Sequence, residues 1–320
     1  MWGNLQGWII ATLLLLAMIG GLWWVEQRAA VSPATDFGRS SENLAALQLP
    51  VRPQSVVRMG RDADAGAIYR QALSAYDADP KLYQRLIERP SNYRGERLEA
   101  MQLIIEAAPC SRMRLFADRP ERLINYDNEH PDLELLQALG HLCNQIGLRT
   151  NDATEAMRHY EGAFSLGSKL FDERIASAEL LAGLALMGEA ARGIEQSAAT
   201  LGDVARAKAA REFERARQQY YNERIEPMLR VLRSIDARVV GRHAGDVYHI
   251  ASHARERLWR VEATLALGRM RFFIGEGASP GNQRGAMRAL QVLSQDADPL
   301  VRLAADAAIS LTPQQYRMQR

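Results

Sequence analysis

The residues best suited to chemistry lie in one short stretch, RHAGDVYHIASHARE. If this stretch is helical, Asp246, His249 and His253 fall at i, i+3 and i+7 on one face, with Glu256 next along the chain and His243 in the preceding turn. Two histidines four residues apart can share a metal ion, and a carboxylate can complete the ligand set. Asp246, His249 and His253 are therefore the candidate metal ligands. The HExxH motif is absent, however, and imidazoles on an arginine-rich helix are usually solvated or capping, so we predict no bound metal.

No other pattern in the chain indicates catalysis or a cofactor. The stretch GASPGNQRG lacks the GK[ST] ending of a phosphate-binding loop, and no GxSxG nucleophile motif is present. Cys110 and Cys143 have no CxxC or zinc spacing, and the sequence does not decide whether they form a disulfide. The single histidines His130, His141 and His159 are interpreted as structural or surface residues. We therefore predict a protein that is not an enzyme and has no cofactor; a metal-binding enzyme using residues 243–256 is the alternative.

Composition and charge narrow the class of protein further. Of the 320 residues 47% are apolar and 24% are charged, a globular balance that argues against general disorder. The formal net charge is only +2, which gives no reason to expect a nucleic-acid partner. Lys81, Lys169 and Lys208 are the only lysines, so the basic surface is made of arginine. The planar guanidinium binds phosphates and carboxylates through two donors at once.

Residues 8–25, WIIATLLLLAMIGGLWWV, are 18 residues without a charge. As a helix they would be roughly 27 Å long, close to the ~30 Å hydrocarbon core of a bilayer. Trp8 at one end and Trp23 and Trp24 at the other are placed as in an aromatic belt. A cleaved signal peptide is the alternative, but the segment lacks preceding Lys or Arg and its apolar run is long for one. We predict an uncleaved single-pass anchor, residues 1–25, that contacts the lipid bilayer and places the protein in the cell membrane.

The sequence does not decide on which side of the membrane the C-terminal domain lies. No Lys or Arg precedes the span, whereas Arg28 and Arg39 follow it, which favours a cytoplasmic C-terminal domain. A short N-terminal anchor ahead of a soluble domain, on the other hand, commonly delivers that domain outside.

Residues 26–64 follow the anchor and contain three prolines, several serines and no long periodic run. This composition predicts a flexible linker, with a short helix over Ser41–Leu49. An extended linker of this length would let the following domain reach well away from the bilayer.

From residue 65 to residue 312 the apolar periodicity predicts helices almost throughout, and no alternating strand pattern is present. We divide this part into a helical region at 65–240 and a second region at 241–312, followed by a tail at 313–320. The fold class predicted is all-α. The predicted helices are Ala65–Tyr76, Pro80–Glu88, Arg94–Ala107, Pro120–Asn125, Leu133–Ile146, Thr154–Leu166, Asp172–Thr200, Asp203–Leu232, Asp246–Phe273, Gly285–Ser294 and Pro299–Leu311.

The helix predicted at Asp203–Leu232 has one apolar stripe, formed by Phe213, Ala216, Tyr220 and Ile225. The stripe covers barely two heptads and is interpreted as core packing rather than as a coiled-coil contact. Pro227 is expected to kink or end this helix.

The last two predicted helices form a recognisable pair. In the second of them Asp298 is a good N-cap, and Pro299 fits the first helical position, where its missing N–H costs nothing. The stretch from Asp296 to Arg302 and beyond, DADPLVRLAADAAI, resembles a HEAT-like repeat of the form DxDPxVRxxAAxAL. A similar second helix, WRVEATLALGRM, contains Arg260 at 302 − 260 = 42 residues upstream, a spacing that suits such arrays.

The HEAT-like resemblance implies stacked helix pairs in which an Asp of one unit pairs with an Arg of its neighbour. Asp296 and Arg302 match those two positions, and Arg260 and Pro299 are the other repeat positions expected to hold the stack. In the upstream copy the Asp position is Ala254, so the ladder is incomplete there.

A second resemblance lies upstream, in LLQALGHLCNQIGLRTNDATEAMRHYEGAFSLG. This stretch resembles a tetratricopeptide helix pair, with a loop that is some four residues longer than usual. The matching positions are Leu136, Leu139 and Gly140 on the first helix and Ala156, Tyr160 and Ala163 on the second. Both resemblances imply an α-solenoid-like stack, whose extended surface binds another macromolecule and usually carries no chemistry.

Taken together, these features predict a single-pass membrane protein of bacterial type with a helical-repeat domain. The predicted role is that of a non-catalytic scaffold or docking protein that binds a protein partner, whose identity the sequence does not reveal. The alternatives are the metal-binding enzyme described above and a HEAT-like protein that binds nucleic acid, which the near-neutral charge disfavours.

Overall fold

A computed structural model describes residues 40, 42–126, 130–233, 244–272 and 280–318. The predicted membrane anchor and His243 lie outside the described residues. Among the helices within the described ranges, none has the length and apolar character needed to cross a bilayer.

Most of the described residues are helical, as the predicted all-α class requires. Short 3₁₀ turns occur at Pro53–Ser55, Pro90–Asn92 and Pro120–Arg122, the last in place of the helix predicted at Pro120–Asn125. The helices are α1 Gly66–Ala78, α2 Pro80–Glu88, α3 Glu99–Ala107, α4 Pro131–Arg149, α5 Ala153–Glu173, α6 Ser177–Thr200, α7 Val204–Tyr220, α8 Glu226–Arg233, α9 Ala244–His253, α10 Arg257–Met270, α11 Pro280–Leu293, α12 Pro299–Ser310 and α13 Pro313–Met318.

Two short strands, β1 Arg61–Asp64 and β2 Cys110–Arg112, pair in parallel. The prediction of no strands was therefore wrong at this point. Segments of three or four residues are too short to show a period of two, and β1 is mostly exposed. The Asp64 carboxylate then accepts the N–H groups of Gly66 and Arg114, both at 2.9 Å, which fixes the start of α1 beside β2.

Helix α6 is the centre of the molecule. It packs against α5 on one side and against α4 and α7 on others. The contact with α5 is close because Gly167 and Gly183 face each other: a Cβ added at Gly167 would lie 2.7 Å from the carbonyl oxygen of Gly183. Such a backbone approach is possible only without side chains, so the two glycines set the distance between α5 and α6.

The helix predicted over Asp172–Thr200 is interrupted, because α5 continues to Glu173 and α6 begins anew at Ser177. The Glu179 carboxylate explains the new start, since it accepts the backbone N–H groups of Ile175 at 2.6 Å and Ala176 at 3.4 Å. A side chain can thus end one helix and cap the next without any Gly or Pro signal in the sequence.

The helix predicted over Asp246–Phe273 is also interrupted, with α9 ending at His253 and α10 beginning at Arg257, and here no side chain caps the new helix. Pro227, in contrast, does not end its helix. A π-helical turn at Tyr221–Ile225 precedes it and places Pro227 in the first turn of α8, where an N–H is not needed.

The predicted linker at 26–64 was wrong for the part that the structure describes. Residues 42–60, called the strap, lie on the helical domain, and the side chains of Leu44, Leu47, Val56 and Val57 are buried. The strap begins with a turn rather than with the helix predicted at Ser41–Leu49. Its apolar residues find partners on the domain, and burial of that surface outweighs the Pro and Ser content.

The strap is held at one point by Glu256, in the turn between α9 and α10. The Glu256 carboxylate accepts the N–H of Leu47 at 2.8 Å and two guanidinium N–H groups of Arg174, each at 3.2 Å. Arg174 lies in the turn between α5 and α6 and also donates to the Leu47 carbonyl at 3.3 Å. We call Leu47, Arg174 and Glu256 the clamp, because together they join the strap to two separate helix turns.

Candidate functional site: a groove over helix α6

The three candidate metal ligands are not grouped into a site. Asp246 is buried on α9, while the rings of His249 and His253 stack with centroids 4.4 Å apart and planes at 20°. Glu256, the carboxylate expected to complete the site, is engaged in the clamp. Within the described part of the chain, no three His, Cys, Asp or Glu side chains are grouped to hold a metal ion.

The predicted repeat positions do come together, with one change of partner. Arg260 on α10 pairs with the Asp296 carboxylate in the turn between α11 and α12, at 2.5 Å, and both side chains are largely buried. Arg302 instead donates to the backbone carbonyls of Asp296 at 2.6 Å and Ala297 at 3.1 Å. Pro299 is the first residue of α12, as expected. The charge partner of Asp296 is therefore Arg260, and Arg302 holds the turn through its backbone.

Both cysteines are buried free thiols, so the disulfide that the sequence left open is not formed. Cys143 lies 3.7 Å from the sulfur of Met101, and burial raises the pKa of the Cys143 thiol well above its usual range. A thiol held protonated in an apolar environment is a packing residue rather than a nucleophile.

The described residues contain an open groove of about 560 Å³ that runs over α6. Its floor is formed by Ala178, Leu181 and Ala185, which follow each other at i, i+3 and i+7 and remain partly accessible in the first half of α6, where their neighbours along the helix are buried. We call this feature the α6 groove. Its remaining lining residues are His130, Leu133, Glu134, Gln137, Ala182, Leu184, Arg217, Gln218, Tyr221 and Arg233.

The two walls of the α6 groove come from α4 and from the end of α7 with its π-helical turn. Arg217 on the second wall is held by Glu214 through two contacts, at 2.7 and 3.0 Å. The guanidinium also lies directly over Gly188 on α6, where an added Cβ would be 2.6 Å from Nη2. The missing side chain at Gly188 thus lets Arg217 pack against α6, and the wall is rigid rather than adjustable.

A carboxylate-bound histidine lies beside Gln137, a residue that lines the α6 groove. His141 Nδ1 is 2.6 Å from Glu189 Oε2, and Asn144 donates to the same oxygen at 3.3 Å. Burial opposes ionisation of Glu189, but the hydrogen bonds and charge of its neighbours outweigh it and lower the Glu189 pKa. An imidazole oriented by a carboxylate can act as a general base when a nucleophile lies beside it. No described Ser, Thr or Cys hydrogen-bonds to His141, so a complete nucleophilic site is not assembled there.

A buried serine–lysine pair is the other arrangement with catalytic precedent. Ser165 on α5 donates to the Ala108 carbonyl at 2.7 Å, and the Lys169 ammonium contacts both Ser165 and Ala108. Burial lowers the pKa of Lys169 to about 8. Lysine of low pKa can activate a serine, but Ser165 and Lys169 are 0% and 1% exposed, so no substrate reaches them. The pair is a structural contact between α5 and the end of α3.

Sequence reasoning missed the α6 groove, because the sequence of α6 carries no periodic signal for it. In SAELLAGLALMGEAA nearly every position is apolar or small, so the accessible stripe at Ala178, Leu181 and Ala185 cannot be separated from the core by periodicity. Only the positions of α4 and α7 show which face of α6 stays open. Comparison with models of protein families, with characterised proteins and with solved structures finds no match for this chain.

Proposed function

We propose that this chain is a membrane-tethered, non-catalytic docking protein that receives a short apolar segment of a partner protein in the α6 groove. The observation that carries this conclusion is the floor of the groove. Ala178, Leu181 and Ala185 form an apolar stripe that no described element covers, between two polar walls. Apolar grooves with polar rims are the usual receptors for an amphipathic helix of a partner.

The dimensions of the groove limit what it receives. From Ala178 to Ala185 the floor rises about 10 Å along α6, which is two helical turns. A volume of about 560 Å³ holds a few side chains rather than a domain. The partner segment is therefore a helix that presents two or three apolar side chains on one face, with polar residues facing Gln137 and Gln218.

The helical domain is proposed to be an α-solenoid-like stack with HEAT-like pairs at its C-terminal end. Support comes from the Arg260–Asp296 contact, which joins α10 to the next helix pair as the resemblance implies. The proximity of α10 to both α9 and α12 is also what a stack of helix pairs requires. Tetratricopeptide-like packing of α4 and α5 is a further part of this proposal.

The tether is proposed from the sequence of residues 8–25, with lipid as the partner of that segment. A docking site close to a membrane concentrates its partner there without any new contact. A metal-binding enzyme is not proposed, because His249 and His253 stack rather than converge and Glu256 has other partners.

The experiment is photo-cross-linking in native membranes with the full chain, purified through a tag after Arg320. One variant carries the cross-linking residue at Leu181 in the groove, and the matched control carries it at Val292, an exposed apolar residue on α11. We expect one protein in stable proportion from position 181 and not from position 292. Recovery of the same proteins from both positions, or of none, would reject docking in the groove.

Substitutions give the second arm of the same experiment. Leu181→Arg places a charge on the apolar floor and is expected to lower recovery of the partner at least about tenfold, because a buried unpaired charge costs more than 1.4 kcal/mol. Val292→Arg is the control and leaves recovery unchanged. If Leu181→Arg recovers the partner as well as the parent chain, the α6 groove is not the docking site, even where a partner exists.

A further inference from the structure

A second cavity, of about 650 Å³, lies between the strap, the end of α3, α5 and the beginning of α7. We call it the strap cavity, because residues 54–58 of the strap form one of its walls. It is separate from the α6 groove and shares no lining residue with it. Nothing in the proposed docking function uses it.

Three arginines line the strap cavity, and the side chains of two of them have no ion-pair partner among the described residues. Arg206 is engaged, since it pairs with Glu161 and donates to the Val56 carbonyl at 3.1 Å. Arg58 and Arg158 are exposed and make no hydrogen bond or ion pair with any residue that the structure describes. Two guanidinium groups at one cavity, with their donors unused, are suited to an anion.

The acidic residues of the strap cavity do not neutralise these two arginines. Glu161 is the partner of Arg206. The Asp203 carboxylate caps α7 by accepting the N–H of Arg206 at 3.0 Å. The beginning of α7, a helix of 17 residues, also lies at the same cavity through Ala205, but the Asp203 carboxylate already complements its dipole.

The lining of the strap cavity also has an apolar part. Val56 and Val57 come from the strap, and Ile105, Ala108 and Pro109 come from the end of α3 and the residues after it. The volume is several times that of a bare phosphate group, so the cavity has room for an organic part beside an anionic one.

We propose that the strap cavity binds a phosphate monoester, with the phosphate at Arg58 and Arg158 and an apolar organic part against Val56 and Ile105. A dianion with three acceptor oxygens uses two guanidinium forks more fully than a carboxylate does. The same chemistry is offered by a soluble phosphorylated molecule and by a phosphomonoester lipid headgroup. Because the strap supplies one wall, the bound ester also stabilises the seated strap.

The test uses the full chain in micelles of a neutral detergent, titrated with inorganic phosphate by calorimetry at constant ionic strength. The double variant Arg58→Gln, Arg158→Gln is compared with Arg284→Gln, Arg288→Gln, two exposed α11 arginines that likewise lack a described partner. We expect saturable binding that the first pair of substitutions weakens at least about tenfold and the second leaves unchanged. All four arginines are exposed, so the variants keep the fold, which circular dichroism verifies.

A lipid arm identifies the source of the phosphate. The same chains are placed in nanodiscs of phosphatidylcholine alone or mixed with phosphatidic acid, and the midpoint of thermal unfolding is measured. A rise with phosphatidic acid that requires Arg58 and Arg158 assigns the cavity to a lipid headgroup. Phosphate binding without such a rise assigns it to a soluble ester. Absence of saturable phosphate binding together with no arginine-dependent rise in the unfolding midpoint, or equal losses in the two double variants, overturns the proposal.

Discussion

Glu256→Ala is expected to release the strap and destabilise the whole domain. The substitution removes the carboxylate that accepts the Leu47 N–H and two N–H groups of Arg174. The Glu256 and Arg174 side chains are 6% and 18% exposed, so water replaces the lost partner poorly. What remains is a nearly buried guanidinium and an unsatisfied backbone donor, which is the costly way to break an ion pair.

The magnitude follows from these contacts. Removal of one partner of a buried pair costs about 3–5 kcal/mol. Arg174 keeps a 2.7 Å hydrogen bond to the Phe171 carbonyl and is partly exposed, which places the expected loss near the lower end, at about 3 kcal/mol. For a domain of this size such a loss lowers the unfolding midpoint by roughly 6 °C.

The assay is urea unfolding of the full chain in detergent, with a double-mutant cycle of Glu256→Ala and Arg174→Ala. The control is Glu226→Ala, whose i, i+4 partner Arg230 is exposed and whose loss costs no more than about 0.5 kcal/mol. The two clamp substitutions are expected to be non-additive by more than about 1 kcal/mol. Additive effects, or a Glu256→Ala chain as stable as the control, would refute the clamp as the support of the strap.

Further substitutions test partly or fully buried charges by urea unfolding. Burial, with the charge of a nearby carboxylate, raises the pKa of Glu179 to about 8 from 4.5, so the native state retains a proton that the unfolded chain releases. Stability should therefore fall as pH rises from 4.5 to about 8, and Glu179→Gln should flatten that slope; an unchanged slope contradicts the assignment. Burial lowers the pKa of Lys169 to about 8 from 10.5, so its contribution has the opposite sign and stability is lost as pH falls from 10.5 through 8. Lys169→Met should remove this loss and raise the free energy of unfolding at pH 7. A less stable variant would mean that the buried ammonium stabilises the fold rather than destabilising it. Arg260→Ala should cost about 2 kcal/mol and more than Arg302→Ala, because it strands the Asp296 carboxylate; the reverse order would restore Arg302 as its charge partner.

The sequence predicts the elements whose signals are local. Asp298 with Pro299 sets the start of α12, and the apolar faces of α10 and α12 give the pair that joins through Arg260. Helix caps and apolar faces of this kind are visible within one or two helical turns of sequence. The break at Glu179 is different, because it depends on a side chain that accepts two backbone N–H groups, which the residue type alone does not predict.

The strap and the α6 groove lie beyond sequence reasoning for one shared reason. Leu44 and Leu47 are apolar residues in a Pro- and Ser-containing segment, and nothing local states whether a surface exists to bury them. Arg174 and Glu256, 82 residues apart, must first be brought together by the packing of α5, α6 and α10. In the same way Leu181 is accessible only because α4 and α7 leave one face of α6 open.

The seated strap changes where the proposed docking site operates. If residues 26–64 were all linker, 64 − 25 = 39 residues would reach up to about 130 Å from the bilayer. If residues 8–25 are the anchor proposed from their sequence, and the strap is held from Glu42 by its contact with Arg224, 41 − 25 = 16 residues separate the anchor from the strap, and a chain of 16 residues spans at most about 55 Å. Under that proposal the tether and the width of the domain together limit how far from the membrane the partner of the α6 groove can carry its helix. A protein that is itself embedded in the membrane or bound to its surface meets this requirement. Release of the strap would more than double the maximum span of the tether, from about 55 Å to about 130 Å.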